Sequence, residues 1–83
     1  MKLSEMGSKD KIVQCDARYL ICPLPVLKAR RMLLSMAQND QLLVLSTDLK
    51  SPSEFALFCQ DEGYQLISTE KNGDVYHITV LKV

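Results

Sequence analysis

The strongest constraint on this chain is Cys22-Pro23-Leu24-Pro25, two prolines one residue apart directly after a thiol. Inside a helix a proline removes an i→i−4 hydrogen bond and its ring clashes with the preceding turn, whereas the first four amides of a helix have no intrahelical acceptor in any case. The pair therefore predicts a helix that starts at Pro23, with Pro25 in its third position and Cys22 as its N-cap. A thiol there would face the positive end of the helix dipole and the first-turn amides, chiefly that of Leu24, which favour the thiolate. An ordinary cysteine has a pKa of about 8.5, and helix N-termini can bring it to roughly 3.5–7.5. Cys22 is thus a candidate nucleophile, to be weighed against a plain loop cysteine beside a helix boundary.

The stretches on either side read as a scaffold for that sulfur. Lys11 to Asp16 is short and holds Ile12 and Val13, which suits a first strand, with Cys15 near its end as a small buried apolar group. From Pro23 to Ala37, residues Val26, Leu27, Ala29, Leu33, Leu34 and Ala37 gather on one side of a 3.6-residue helix, while Lys28, Arg31, Ser35 and Gln38 occupy the other. Arg30 interrupts the apolar side and is expected to lay its stem across it, and Asn39 can end the helix in a left-handed conformation. Leu42-Leu43-Val44-Leu45 is a continuous apolar run bounded by turn residues, the pattern of a buried central strand over Gln41 to Thr47.

Beyond it, Ser51 and Glu54 form a capping-box signature around Pro52, so a second helix is expected with Ser51 as N-cap. Phe55, Ala56, Phe58 and Cys59 would be its apolar face and Gly63 its stop. Cys59 reads as core. Tyr64 to Lys71 and Val75 to Lys82 are strands separated by Asn72-Gly73, a type I′ hairpin signal. The order β-α-β-α-β-β predicts a two-layer α/β sandwich with a mixed four-stranded sheet and two helices on one face. The Cys22 loop then emerges at the C-terminal end of the first strand, where open sheets hold their sites. The Thr47–Pro52 loop emerges beside it, making Asp48 a neighbour of Cys22, as a turn cap or as a partner-binding acid.

Composition narrows the function. Ten basic residues balance ten acidic ones among 83, so no overall field attracts nucleic acid or an anionic membrane. Three cysteines without a Cys-x-x-Cys spacing, and His77 as the only histidine, indicate neither a disulfide framework nor a metal site. A reducing cytoplasm is the expected setting. No apolar stretch approaches the about 18 residues of a spanning helix. Met1 to Asp10 lacks the apolar run of a signal peptide and is expected to be a mobile lead-in, with residues 11–83 as a single domain.

The segment from Asp16 through Cys22-Pro23-Leu24-Pro25 resembles the Cys-Pro-x-Pro signature of the TusA-like (SirA-like) sulfur-carrier family, with its aspartate six residues before the cysteine. The likeness spans Cys15 to Val83. It implies that Cys22 carries a persulfide, taken from a protein donor such as a cysteine desulfurase and passed to a protein acceptor, with Pro23 and Pro25 holding the helix end rigid and no cofactor required. Lys28 and Arg31 on the outer side of the helix, together with Asp48, are the candidate partner-binding groups. The chain departs from the family pattern at Tyr19, where glycine is usual, at Ile21, where members that thiolate tRNA carry arginine, and at Leu24 in place of a common glutamate. Its Thr47-Asp48-Leu49 stands for Asp-Asp-Pro. These changes border the docking surface, so sulfur handling is better supported than tRNA thiolation. The alternative is a non-catalytic interaction or regulatory domain of the same fold. An RNA-binding domain is disfavoured by zero net charge and by the absence of a basic and aromatic strand face.

Overall fold

Leu42-Leu43-Val44-Leu45, an apolar run with side chains on both faces, has the pattern of a strand inside a sheet, and it forms the inner strand β2 (Gln41–Ser46). The computed structural model describes residues 11–83; the expectation of a mobile lead-in over residues 1–10 lies outside them. Strand β1 (Ile12–Ala17) leads through helix α1 (Leu24–Leu34) to β2. Helix α2 (Ser51–Glu62) then precedes the hairpin of β3 (Gln65–Asn72) and β4 (Val75–Leu81). The sheet order is β1-β2-β4-β3, with β1 parallel to β2 and the other two pairings antiparallel. This is the predicted β-α-β-α-β-β sandwich with a mixed four-stranded sheet.

The helix-facing side of the sheet follows from the two-residue period of its strands. Cys15, Val44 and Ile78 are register partners across β1, β2 and β4, as are Leu42, Val80 and Leu66 across β2, β4 and β3. They join Ala29 and Leu33 of α1 and Phe55, Phe58 and Cys59 of α2 in one core, so both helices lie on the same face. The Phe55 and Phe58 rings meet edge to face at 6.1 Å between centroids. No helix among the described residues is long and apolar enough to cross a membrane.

Local expectations are corrected in several places. Helix α1 begins at Leu24, with Pro23 as its N-cap and Pro25 in its second position. It ends at Leu34, three residues before Ala37, because the amides of Ser35 and Met36 bond back three residues and the Asp40 carboxylate takes the amide of Ala37. Asn39 does adopt the left-handed conformation, but in the turn beyond the helix. The buried stripe is Pro25, Ala29 and Leu33, leaving Leu27 and Leu34 exposed. Arg30 is exposed as well and faces Glu62 of α2 at 3.9 Å. In α2, Ser51 is the first helical residue and Lys50 is the N-cap, with no side-chain cap. The expected capping box does not form because the Ser51 hydroxyl turns inward. Ala56 is exposed, while Gly63 closes the helix in the left-handed conformation as expected.

The hairpin turn is Gly73-Asp74, since Asn72 still pairs with Val75. Gly73 has a positive φ and Asp74 does not, so the turn carries glycine at the first central position, the type II′ pattern in place of I′.

Tyr19 has φ 68°, a left-handed conformation at the position where the family resemblance expects glycine. That conformation costs a non-glycine residue about 1–2 kcal/mol, while glycine carries an entropic penalty of about 0.5–1 kcal/mol. The Tyr19 side chain is 84% exposed and contributes little packing. Tyr19→Gly should therefore stabilise the fold by roughly 0.5–1 kcal/mol, raising Tm by about 4 °C in a thermal melt followed by circular dichroism. An unchanged or lower Tm would count against backbone strain at this residue.

Candidate functional site

Two loops leave the same end of the sheet and are stitched together by backbone amides. After β1, the carbonyl of Ala17 accepts the amide of Leu20, and the amide of Tyr19 donates to Thr47 Oγ1 at 2.9 Å. The amide of Cys22 donates to Asp48 Oδ2 at 2.8 Å, and the amide of Lys50 to Asp48 Oδ1 at 2.8 Å. Those two amides, that of Cys22 foremost, hold the Asp48 carboxyl below its ordinary pKa. Asp48 thus caps a turn, as weighed from the sequence, and also grips the residue that carries the thiol.

Asp16 makes a second anchor. Its carboxylate receives a bidentate pair from Arg18 at 2.9 Å and 2.9 Å, which lowers its pKa to about 2. Its backbone carbonyl accepts Lys28 Nζ at 2.6 Å. Lys28 therefore ties α1 to the end of β1, while Arg31 has no ion-pair partner among the described residues.

Cys22 sits half-buried between these loops, following an exposed Ile21 and preceding a cis peptide to Pro23. It lies outside the N-cap expected from the two prolines. The amide of Leu24, expected to serve the sulfur, donates instead to the carbonyl of Ile21 at 2.9 Å. The expected depression of the thiol pKa is accordingly reversed. Partial burial pushes the Cys22 thiol up, and the negative charges of Asp48 and Glu54 add to that. The group acting in the other direction is the Ser51 hydroxyl, 3.7 Å from Sγ.

The remaining thiols occupy different environments. Cys15 is fully buried and Cys59 is 4% exposed, both in the core, and burial pushes Cys15 up and Cys59 to about 11. His77 is a register partner of Leu45 and Glu70, on the sheet face opposite the helices. No group of three or more metal-ligating side chains occurs among the described residues.

Around Cys22 the surface is apolar. Tyr19, Ile21, Leu24 and Leu49 are each at least half exposed. An open groove of about 450 Å³ runs from Leu20 and Leu24 past Leu27 to Lys28 and Arg31. Sequence reasoning missed the buried Ser46 and the inward turn of Ser51. A signal existed for Ser46, which continues the buried positions Leu42 and Val44 at the two-residue spacing of β2.

Residues 13–82 match the family model described as Sulfurtransferase TusA, and the chain belongs to that family. A Neisseria meningitidis serogroup A protein provisionally named a sulfur carrier is 38% identical over 65 residues, covering 78% of this chain and 88% of its own. The sulfur carrier protein TusA of Allochromatium vinosum is 33% identical over 69 residues, covering 83% and 91%. A SirA-like protein from Desulfitobacterium hafniense has a solved structure that superposes with a TM-score of 0.74 at 26% identity, covering 83% of this chain and 95% of the other.

Because Asp48 raises the Cys22 pKa by charge, Asp48→Asn should lower it. Alkylation of Cys22 by iodoacetamide, followed across pH by peptide mass spectrometry, should show its midpoint displaced to lower pH and a faster rate at neutral pH. A midpoint displaced upward would mean that the loop grip outweighs the charge.

Proposed function

We propose that this protein is a cytoplasmic sulfur carrier whose Cys22 accepts a persulfide sulfur from a protein donor, such as a cysteine desulfurase, and hands it to a protein acceptor. The observation that carries this reading is accessibility within the sulfurtransferase family. Of the three cysteines, Cys22 alone is outside the core, at the junction of β1 and α1 where a partner thiol can reach it.

The Cys22 thiolate, present as a minor fraction at neutral pH, attacks the outer sulfur of the donor persulfide. The donor sulfur–sulfur bond breaks, its electron pair leaves on the donor cysteine, and Cys22–S–SH forms. The acceptor thiolate later attacks that outer sulfur and Cys22 departs. The sulfur carried this way needs no cofactor on the chain. Pro23 and Pro25 restrict the backbone beside the thiol, so little conformational freedom is lost on docking.

The groove along α1 fits the docking role. Its apolar floor of Leu20, Leu24 and Leu27 ends at Lys28 and Arg31, which suits a partner surface with an apolar ridge flanked by carboxylates. Arg31 is the better candidate for direct contact, since Lys28 is engaged with Asp16. Asp48, with both carboxylate oxygens on backbone amides, serves the partner chiefly by fixing Cys22. A role in tRNA thiolation is one destination for the sulfur. Zero net charge favours reaching it through protein partners, without direct contact to nucleic acid.

Intact-protein mass after incubation with a cysteine desulfurase, pyridoxal phosphate and cysteine tests the reading. Wild type, Cys15→Ser and Cys59→Ser should each gain one sulfur atom, and Cys22→Ser should gain none. If wild type gains none from several donors while Cys22→Ser retains partner binding, the exposed apolar collar belongs to a non-catalytic interaction domain. Arg31→Glu should slow loading roughly tenfold at low ionic strength, equivalent to about 1.4 kcal/mol, with the difference shrinking as salt is added. Equal rates at all salt concentrations would remove Arg31 from the docking surface.

A further inference from the structure

A pair of buried hydroxyls stands behind Cys22. Ser46, at the end of β2, and Ser51, in the first turn of α2, are both fully buried, and their oxygens are 2.5 Å apart. Ser51 Oγ lies 3.7 Å from Cys22 Sγ, and Ser46 Oγ accepts the amide of Asp48 at 3.3 Å. The ends of this chain of hydrogen bonds set its direction. A backbone amide only donates and a thiolate only accepts, so with the sulfur ionised the order runs from Asp48 N–H to Ser46, from Ser46 to Ser51 and from Ser51 to Cys22. Every proton in the row then has an acceptor. With the thiol protonated the row can run the other way, so it is ionisation of the sulfur that turns the Ser51 hydroxyl toward it.

We propose that Ser51 is a catalytic hydrogen-bond donor to the Cys22 sulfur anion, with Ser46 as the positioning residue that keeps the Ser51 hydroxyl aimed at it. This inference rests on the carrier reading and names the group that stabilises charge in both halves of the relay. On loading, Cys22–SH and R–S–SH become Cys22–S–SH and R–SH. A sulfur–sulfur bond to Cys22 forms as the donor's breaks, the proton released by Cys22 ends on the donor sulfur, and there is no net oxidation. On unloading, the acceptor thiolate takes the outer sulfur and the electron pair of the broken bond returns to Cys22 Sγ, where Ser51 donates again. The donor raises the thiolate fraction on the way in and improves the leaving group on the way out. It lowers intrinsic nucleophilicity by less than it gains in thiolate, since nucleophilicity follows thiol pKa with a slope of only about 0.4–0.5.

The charged groups facing the sulfur are Asp48 of the β2–α2 loop and Glu54 of α2, and both stay in place in the variants used to test the proposal. Iodoacetamide alkylation of Cys22 is followed across pH, site by site, for wild type, Ser51→Ala, Ser51→Thr and Ser46→Ala, alongside persulfide loading and unloading. For Ser51→Ala the alkylation midpoint should move up by about one pH unit, a tenfold change in thiolate fraction, with a net rate at neutral pH roughly threefold lower. Ser46→Ala should move it in the same direction by less, and Ser51→Thr, which keeps the hydroxyl, should remain near wild type.

A folded Ser51→Ala with the wild-type profile would overturn the proposal, as would a threonine variant as displaced as alanine. If Ser51→Ala does not fold by circular dichroism, Ser46→Ala decides alone: an upward displacement supports the donor row and an unchanged midpoint overturns it. Failure of wild type to load sulfur would instead count against the carrier reading, so the two failures are distinguishable.

Discussion

The carboxylate of Asp48 is the interaction on which the site depends. Its two oxygens bind the amides of Cys22 and Lys50, so one side chain joins the loop after β1 to the loop before α2. Neither loop has regular secondary structure to hold it, and a buried or half-buried amide without an acceptor is costly. Asp48 removes that cost for Cys22 and sets where the sulfur sits relative to Ser51. The same carboxylate places a negative charge beside the thiol, so anchoring the loop and easing ionisation are in conflict at this position.

That conflict explains why the hydroxyl row matters. Burial, Asp48 and Glu54 all disfavour the thiolate, and Ser51 opposes them. A carrier has reason to tolerate the balance. A thiol kept protonated in the free protein is less exposed to adventitious oxidation and alkylation, which follow thiolate character, and the Ser51 hydroxyl is a donor within reach of the sulfur. The two core thiols are buried, and burial is the main cause that raises the pKa of each.

Helix α1 carries apolar residues on its outer surface as well as on the side that packs on the sheet. Ala29 and Leu33 face the core, which they share with Cys15 and Ala17 of β1. Leu24, Leu27 and Leu34 are left outside. Lys28 lines the groove and places its ammonium on the carbonyl of Asp16. Together with the apolar collar around Cys22, these residues form a surface that gains from being covered.

Element order, the central position of β2, the mixed sheet and the place of Cys22 at the end of β1 were all legible in the chain. They depend on period, on proline and glycine chemistry and on a continuous apolar run, which act over a few neighbouring residues. The stop at Gly63 was legible for the same reason. Less accessible were the start of α1, the apolar stripe that includes Pro25 but not Leu27, and the turn at Gly73-Asp74, where competing local hydrogen bonds differ by a residue in register. The site divides along the same line. Sequence alone determined which thiol stands beside two prolines and which acid comes near it. Only the tertiary structure decided that the Leu24 amide closes a turn on Ile21, that Asp48 and Ser51 reach Cys22 and that the thiol pKa rises, because the last two depend on groups 26 and 29 residues apart in the chain meeting across the end of the sheet.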